Sequence, residues 1–241
     1  MSALTADAIF ELIDHSWPPE AAHRAGPWII RKDSSGSKRA MAASAVEPAT
    51  PEDLGLAEAQ MEAMGQPLLF QIRGPGGALD QMLDSAGYAV IDRCTIYAIE
   101  AKEMVADIPP ARAWCTWEPL AAQMEIWDAG GIGPGRIAIM HRTTGLKTAI
   151  LGRAEDSPAG TAFVSAHKDL AMIHAVETLA RFRRRGVARL MMQRAAGWCV
   201  ANGVRWLTLI TTDDNGPSNA LYLNMGMQAV SQYHYRIKDA S

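Results

Sequence analysis

Residues Arg181–Met192 read RFRRRGVARLMM, five arginines around one glycine before the chain turns apolar. Upstream, Ala171–Leu179 (AMIHAVETL) is apolar and free of Gly and Pro, a strand candidate. Downstream, Val187, Leu190, Met191, Ala195, Trp198 and Cys199 fall on one helical face. The arginines therefore occupy a strand-to-helix turn, with Gly186 opening the helix. A helix N-terminus presents unpaired N–H groups and the positive end of the peptide dipoles. Glycine lets a ligand approach that backbone, and arginine adds charge-assisted hydrogen bonds. The chemistry favoured is the seating of a phosphate-like anion. The alternative is a solvated basic turn, since Arg-x-x-Gly-x-Ala alone is a weak pattern. No GxxxxGK[ST] or GxGxxG sequence is present.

The rest of the composition makes this cluster local. Lys+Arg number 23 against 26 Asp+Glu, a formal net charge of -3, which gives a general nucleic-acid or membrane-surface role no support. The 241 residues, 49% hydrophobic, allow one large domain or two small ones. Cys94, Cys115 and Cys199 lie far apart and are odd in number, which argues against a disulfide framework and a CxxC zinc site. A reducing, cytoplasmic setting is expected, with no metal. The first residues are amphipathic and acidic, unlike a signal peptide, and no apolar run approaches a membrane span.

Several elements must position the turn. Residues 5–16 are expected to be helical, with strands at Trp28–Arg31 and Arg39–Val46. Thr50-Pro-Glu-Asp53 opens a helix running to about Met64, through a Thr cap, an early Pro and first-turn acids. Strand Leu68–Ile72, helix Gly77–Ala86 and strand Tyr88–Glu100 follow. Ala101–Cys115, holding Pro109-Pro110, reads as a linker. Then come a helix from Glu118 to about Asp128 and the loop Ala129–Arg136. Strands are expected around Ile137–His141, Lys147–Arg153, Gly160–Ala166 and Ala171–Leu179. After the helix from Gly186 come strand Trp206–Thr211, a helix from Pro217 and strand Met227–Lys238. Pro67–Ile99 and Arg205–Ile237 echo each other as strand, short helix, Gly stop and alternating strand, which points to duplication of a supersecondary unit.

Two motifs in order give the cluster a context. Arg183-Arg-Arg-Gly186-Val-Ala188 after a strand resembles motif A of the GNAT superfamily of N-acetyltransferases. Asn215-Gly-Pro-Ser-Asn-Ala-Leu-Tyr222-Leu-Asn-Met-Gly226-Met resembles its motif B. Ala180, Ser218 and Met227 depart from the commonest residues (Pro, Ala and Phe). The resemblance is clearest over 147–238 and extends from about Glu118. It implies an α/β (α+β) fold, a mixed and mostly antiparallel sheet flanked by helices. The chain would divide into a degenerate GNAT-like half at 1–105, which lacks the Arg-x-x-Gly-x-Ala turn, and a catalytic half at 112–241.

The resemblance also implies acetyl-CoA as co-substrate. Its pyrophosphate would meet the N–H groups around Arg183, Arg184, Arg185, Gly186, Val187, Ala188 and Arg189. Its pantetheine would run along Val176, Glu177 and Thr178, with Asn215 nearby. Amide formation needs a neutral amine, so a base is useful, and the departing thiolate needs an acid. Tyr222 matches the family's tyrosine acid. Glu177 is the favoured base, because an isolated Glu in an apolar strand is costly to bury unpaired. His174, three residues earlier, is the other candidate, and regular pleating would aim the two at opposite faces. Water is a third option. Tyr233, His234 and Tyr235 either line the acceptor pocket or form an alternating sheet face, the plainer option being preferred. Gly130–Gly135 reads as a loop that could shape the acceptor site. The expected acceptor is a small-molecule primary amine, attacking directly in a ternary complex. A protein or peptide amine, or a non-enzymatic acyl-CoA sensor, is the alternative. Oligomeric state is open, a homodimer included.

Overall fold

The computed structural model describes residues 4–238. In chain order the elements are α1 (Ala6–Ser16), β1 (Ala21–Ala25), β2 (Trp28–Lys32), α2 (Lys38–Met41), β3 (Ser44–Ala45), α3 (Pro51–Ala63), β4 (Leu68–Arg73), α4 (Ala78–Ser85), β5 (Ala89–Glu100) and α5 (Ala101–Met104). They continue as β6 (Ala113–Thr116), α6 (Ala121–Ala129), α7 (Pro134–Arg142), β7 (Lys147–Ala154), β8 (Ser157–His167), β9 (Leu170–Thr178), α8 (Val187–Ala201), β10 (Trp206–Thr212), α9 (Gly216–Leu223) and β11 (Gln228–Lys238).

Local chemistry explains many of these boundaries. Thr5 caps α1 by accepting from the Ala8 N–H, and Thr50 and Asp53 cap α3 reciprocally with Pro51 in its first turn. Two expected strands are corrected. Ile137–His141 lies in α7, which starts at Pro134 after Gly133. A short apolar run reads as either class by periodicity, and proline at a first helical position decides it. Arg39–Val46 divides into the short helix α2 and a two-residue strand, as its alanines favour. The expected linker is also structured at both ends. Ala101 and Met104 are buried against α8, and β6 pairs with β7. Strand β1 was not anticipated; four of its five residues are exposed.

Among the described residues, eight strands form one sheet in the order β4-β11-β5-β10-β9-β8-β7-β6, antiparallel except for the β9/β10 pair. A small sheet, β1-β2-β3, closes around Trp28, Phe70 and Met61 with α3 and α4. On the large sheet, α8, α5 and the Tyr222 side of α9 share one core. Helices α1, α6 and α7 contribute to the cores on the opposite face.

The two echoing segments meet inside this sheet. Strand β5 lies between β10 and β11, and β11 lies between β4 and β5. Leu68 pairs with Lys238, and Trp206 pairs with Glu100. Adding 138 to Leu68 and Glu100 gives Trp206 and Lys238, so one pairing maps onto the other. The β5/β11 contact obeys the same offset: Ala98 faces Gln228, and Val90 faces Arg236. Its two bulges, at Asp92 and Val230, differ by that number as well. The four strands are therefore related by a pseudo-two-fold axis between β5 and β11.

A glycine pair fixes the seat of α8. Gly152 and Gly160 are directly opposite on β7 and β8. A Cβ on Gly160 would lie 2.8 Å from both the Glu177 carbonyl oxygen and Val187 Cγ1, and one on Gly152 would lie 2.9 Å from Met191 Cγ. Bare backbone at these positions lets the first turns of α8 press onto the sheet.

Candidate active site

Strands β9 and β10 pair in parallel from Leu170/Trp206 to Ile173/Leu209. Both continue, to Thr178 and Thr212, so beyond Ile173 they part. At the same point β9 bulges. Phe163 faces His174 and Thr161 faces Glu177, leaving Ala175 and Val176 together opposite Ala162. Ala175 takes φ 50°, the left-handed twist of a bulged residue. Its carbonyl accepts from Trp127 Nε1 at 2.8 Å, which anchors the kink to α6.

The bulge overturns one expectation. On a regular strand His174 and Glu177 would point to opposite faces. With one extra residue between them, they stand beside Phe163 and Thr161, which share a face. His174 stacks against Phe163 and Trp17, while Glu177 lies against Gly130 at the end of α6, where a Cβ would sit 2.5 Å from Glu177 Cγ.

The arginine turn has the anticipated form. Ala180–Phe182 make one 3-10 turn, and Phe182 is buried. Arg184 and Gly186 are left-handed, with φ 64° and 77°. The helix begins when the Leu190 N–H donates to the Gly186 carbonyl, so the N–H groups of Val187, Ala188 and Arg189 lack helical partners. No atom lies within 4 Å of a Cβ built on Gly186, and the seat is open. Arg183 donates to the Thr178 carbonyl at 3.2 Å and meets Glu177 at 3.4 Å. Arg185 pairs with Glu155. Arg184 and Arg189 are exposed, and the Val187 side chain is buried in the core. These residues fit an anion of diphosphate size on the backbone.

A cavity of about 400 Å³ opens where β9 and β10 part. Tyr222 and Val176, from the α8 face, line it together with Tyr233, Tyr235 and Cys94, from the α1 face. The opening thus passes through the sheet. Tyr222 is 7% exposed. Burial raises its phenol above the ordinary value, with the Ser218 hydroxyl opposing, so it holds its proton at neutral pH. Asn215 also lines the cavity while its Oδ1 accepts the Ser218 N–H at 3.2 Å as the cap of α9. His174 lines it too; burial, then the charge of Arg39, holds its imidazole well below the usual value.

Glu177 is not brought to Tyr222. It borders a separate space of about 340 Å³ with Gly130, Leu179 and Arg183. Tyr233 and Tyr235 do enter the lining of the main cavity, whereas His234 turns away to Asp80 at 2.8 Å. Of the expected loop Gly130–Gly135, only 130–133 joins α6 to α7 and contributes Ile132 to the cavity, while Pro134 and Gly135 open α7. Arg39, Trp17 and Ser37, also in the lining, were missed. Arg39 could have been flagged as the charged side chain directly abutting the apolar stretch Ala40–Ala43.

Residues 113–227 match the model of the acetyltransferase (GNAT) family. A GCN5-related N-acetyltransferase from Kribbella flavida superposes with a TM-score of 0.75 at 18% identity, covering 100% of this chain and 98% of that one. The fold is that of the GNAT acetyltransferases. A tandem GNAT protein from the clavulanic acid biosynthesis pathway aligns at a TM-score of 0.60 and 13% identity, over 98% of this chain and 88% of that one. In sequence, the chain is 24% identical over 234 residues to YobR, an uncharacterised N-acetyltransferase of Bacillus subtilis (strain 168), covering 92% of this chain and 94% of YobR. The sequence likeness to the GNAT acetyltransferases is thus carried by 113–227, and the structural likeness extends the fold over the whole chain. Among the described residues, no helix is long and apolar enough to cross a membrane, and no group of three or more His, Cys, Asp or Glu side chains is placed to hold a metal ion.

Proposed function

We propose that this GNAT protein transfers acetyl from acetyl-CoA to a primary amine of a small molecule, by direct attack in a ternary complex. The observation that carries the reading is the coincidence of three features. The parting of β9 and β10, the bulge at Ala175 and the open N-terminus of α8 lie within sixteen residues of one another along the chain, from Ile173 to Ala188. On this reading the diphosphate rests on the N–H groups of Val187–Arg189, with Arg184 and Arg189 adding charge. The pantetheine arm follows the edge of β9 at Val176–Thr178, next to Asn215. An N–H on that edge polarises the thioester carbonyl. The amine enters from the α1 face as its free base, the Tyr222 phenol protonates the departing thiolate, and the proton shed by the attacking nitrogen returns through water to the Tyr222 oxygen. Glu177 is assigned to hold Arg183 on the turn, because its carboxylate faces the smaller space and not the main cavity.

The reading extends to the whole chain: 1–105 and 112–241 are two GNAT-like halves, the first lacking an Arg-x-x-Gly-x-Ala turn. The constant offset between strand pairings supports this, as does the tandem description of one structural relative. Calorimetry with coenzyme A tests the cofactor seat. The wild type binds, and Gly186→Glu abolishes binding by placing a carboxylate where the phosphates sit. Equal heats from both proteins would sink the assignment.

A further inference from the structure

Charge at the α1 end of the main cavity is lopsided. Lys38, Arg39 and Arg136 line it, against one carboxylate, Asp92. Asp92 is already engaged, with Lys38 Nζ 2.5 Å from its Oδ2. Arg39 has no carboxylate within ion-pair distance among the described residues. Its Nη1 meets His174 Nδ1 at 2.9 Å, and its Nε is closed off from solvent with no partner. A guanidinium has five donors and no acceptor, and holding its charge in a half-buried place without an anion is costly.

What Arg39 does touch is neutral. Arg39 donates to His174 Nδ1, so the ring proton sits on Nε2 and is given to Ser16 Oγ, 2.9 Å away. The Trp17 ring lies 5.9 Å from the guanidinium carbon. This chain of contacts orients Arg39 and cancels none of its charge. A polycationic acceptor would meet three positive groups and one carboxylate already paired. A carboxylate would meet an oriented guanidinium whose charge no anion offsets.

We propose that the acceptor is an amine that also bears a carboxylate, an amino acid or a close analogue. Arg39 binds the carboxylate, and the amine faces the gap between β9 and β10. The proposal rests on the acetyl-transfer reading above and deepens it. His174 and Ser16 are positioning residues for Arg39.

The test compares free amino acids, their carboxamides and spermidine as acceptors, by thiol release from acetyl-CoA. Wild type, Arg39→Met and Arg39→Lys are assayed, and melting shifts with N-acetyl amino acids and their amides are read on the CoA-bound proteins. Carboxylates are expected to exceed their amides by about ten- to hundred-fold in kcat/KM, as for hydrogen bonds to a charged group. Arg39→Met erases that preference with unchanged affinity for coenzyme A, and Arg39→Lys keeps part of it. The proposal is overturned if amides or spermidine serve equally well. It is also overturned if wild type and Arg39→Met treat every carboxylate alike, including no response from either. Failure of the wild type to bind coenzyme A is a separate result, which removes the acetyl-transfer reading and this proposal with it.

Discussion

At the scale of single residues, two side chains in the cavity have opposite protonation problems. Tyr222 is kept protonated by burial, as an acid requires. Tyr222→Phe is expected to lower kcat by about 100-fold, the ordinary worth of a positioned acid, with affinity for acetyl-CoA unchanged in calorimetry. Loss of binding instead would refute the acid role. His174 is kept neutral by burial. A histidine whose folded pKa is depressed takes up its proton on unfolding. Its contribution is therefore complete above the unfolded value, 6.5, and drains away as pH falls below that toward the folded value. His15 shifts the same way, with burial the leading cause. The melting temperature should fall between about pH 7.5 and pH 5.5, across the imidazole range, and His174→Gln should flatten that slope without abolishing it. Residues fixed by local sequence were legible: Gly186, Asn215 and Tyr222 sit in short motifs whose conformation is set by neighbours. Arg39 was not, because packing across 135 residues brings it to His174.

At the scale of elements, the seat of α8 depends on the absence of two side chains. Gly160→Ala would drive a methyl group into the Glu177 carbonyl and Val187. Overpacking of this kind costs about 1–3 kcal/mol. Thermal unfolding should show the loss, and coenzyme A affinity should fall with it, since the same shift moves the N–H groups of Val187–Arg189. A variant with wild-type affinity would show that the anion seat tolerates movement of the helix. Helix α8 and strands β7–β10 were readable because their apolar periods are long and regular. Helix α7 was not, since Ile137 and Ile139 imitate strand alternation over a short run. The bulge at Ala175 left no trace in residue type, and it reversed the relation of His174 to Glu177.

At the scale of the whole molecule, the interleaving of β4, β11, β5 and β10 makes 1–105 and 112–241, the two halves proposed above, depend on each other. Residues 112–241 alone lack β5, so β10 and β11 lose the neighbour between them. That fragment is expected to show no cooperative unfolding transition, and 1–105 is expected to behave likewise. Co-expression should restore a soluble pair. A well-folded 112–241 fragment would contradict this. The echo between Pro67–Ile99 and Arg205–Ile237 was visible as sequence. The mutual insertion was not, because strand order is a property of long-range pairing that no window of sequence contains. The same insertion bears on how the chain is made. Roughly 100 residues separate Glu100 from Trp206, about 5–20 s of ribosomal synthesis. Throughout that interval β5, with its Val, Ile and Tyr, has two bare edges and neither permanent neighbour. Such edges recruit other strands. Yield in cells is therefore expected to rise with whatever shields β5 from nascent chains beside it.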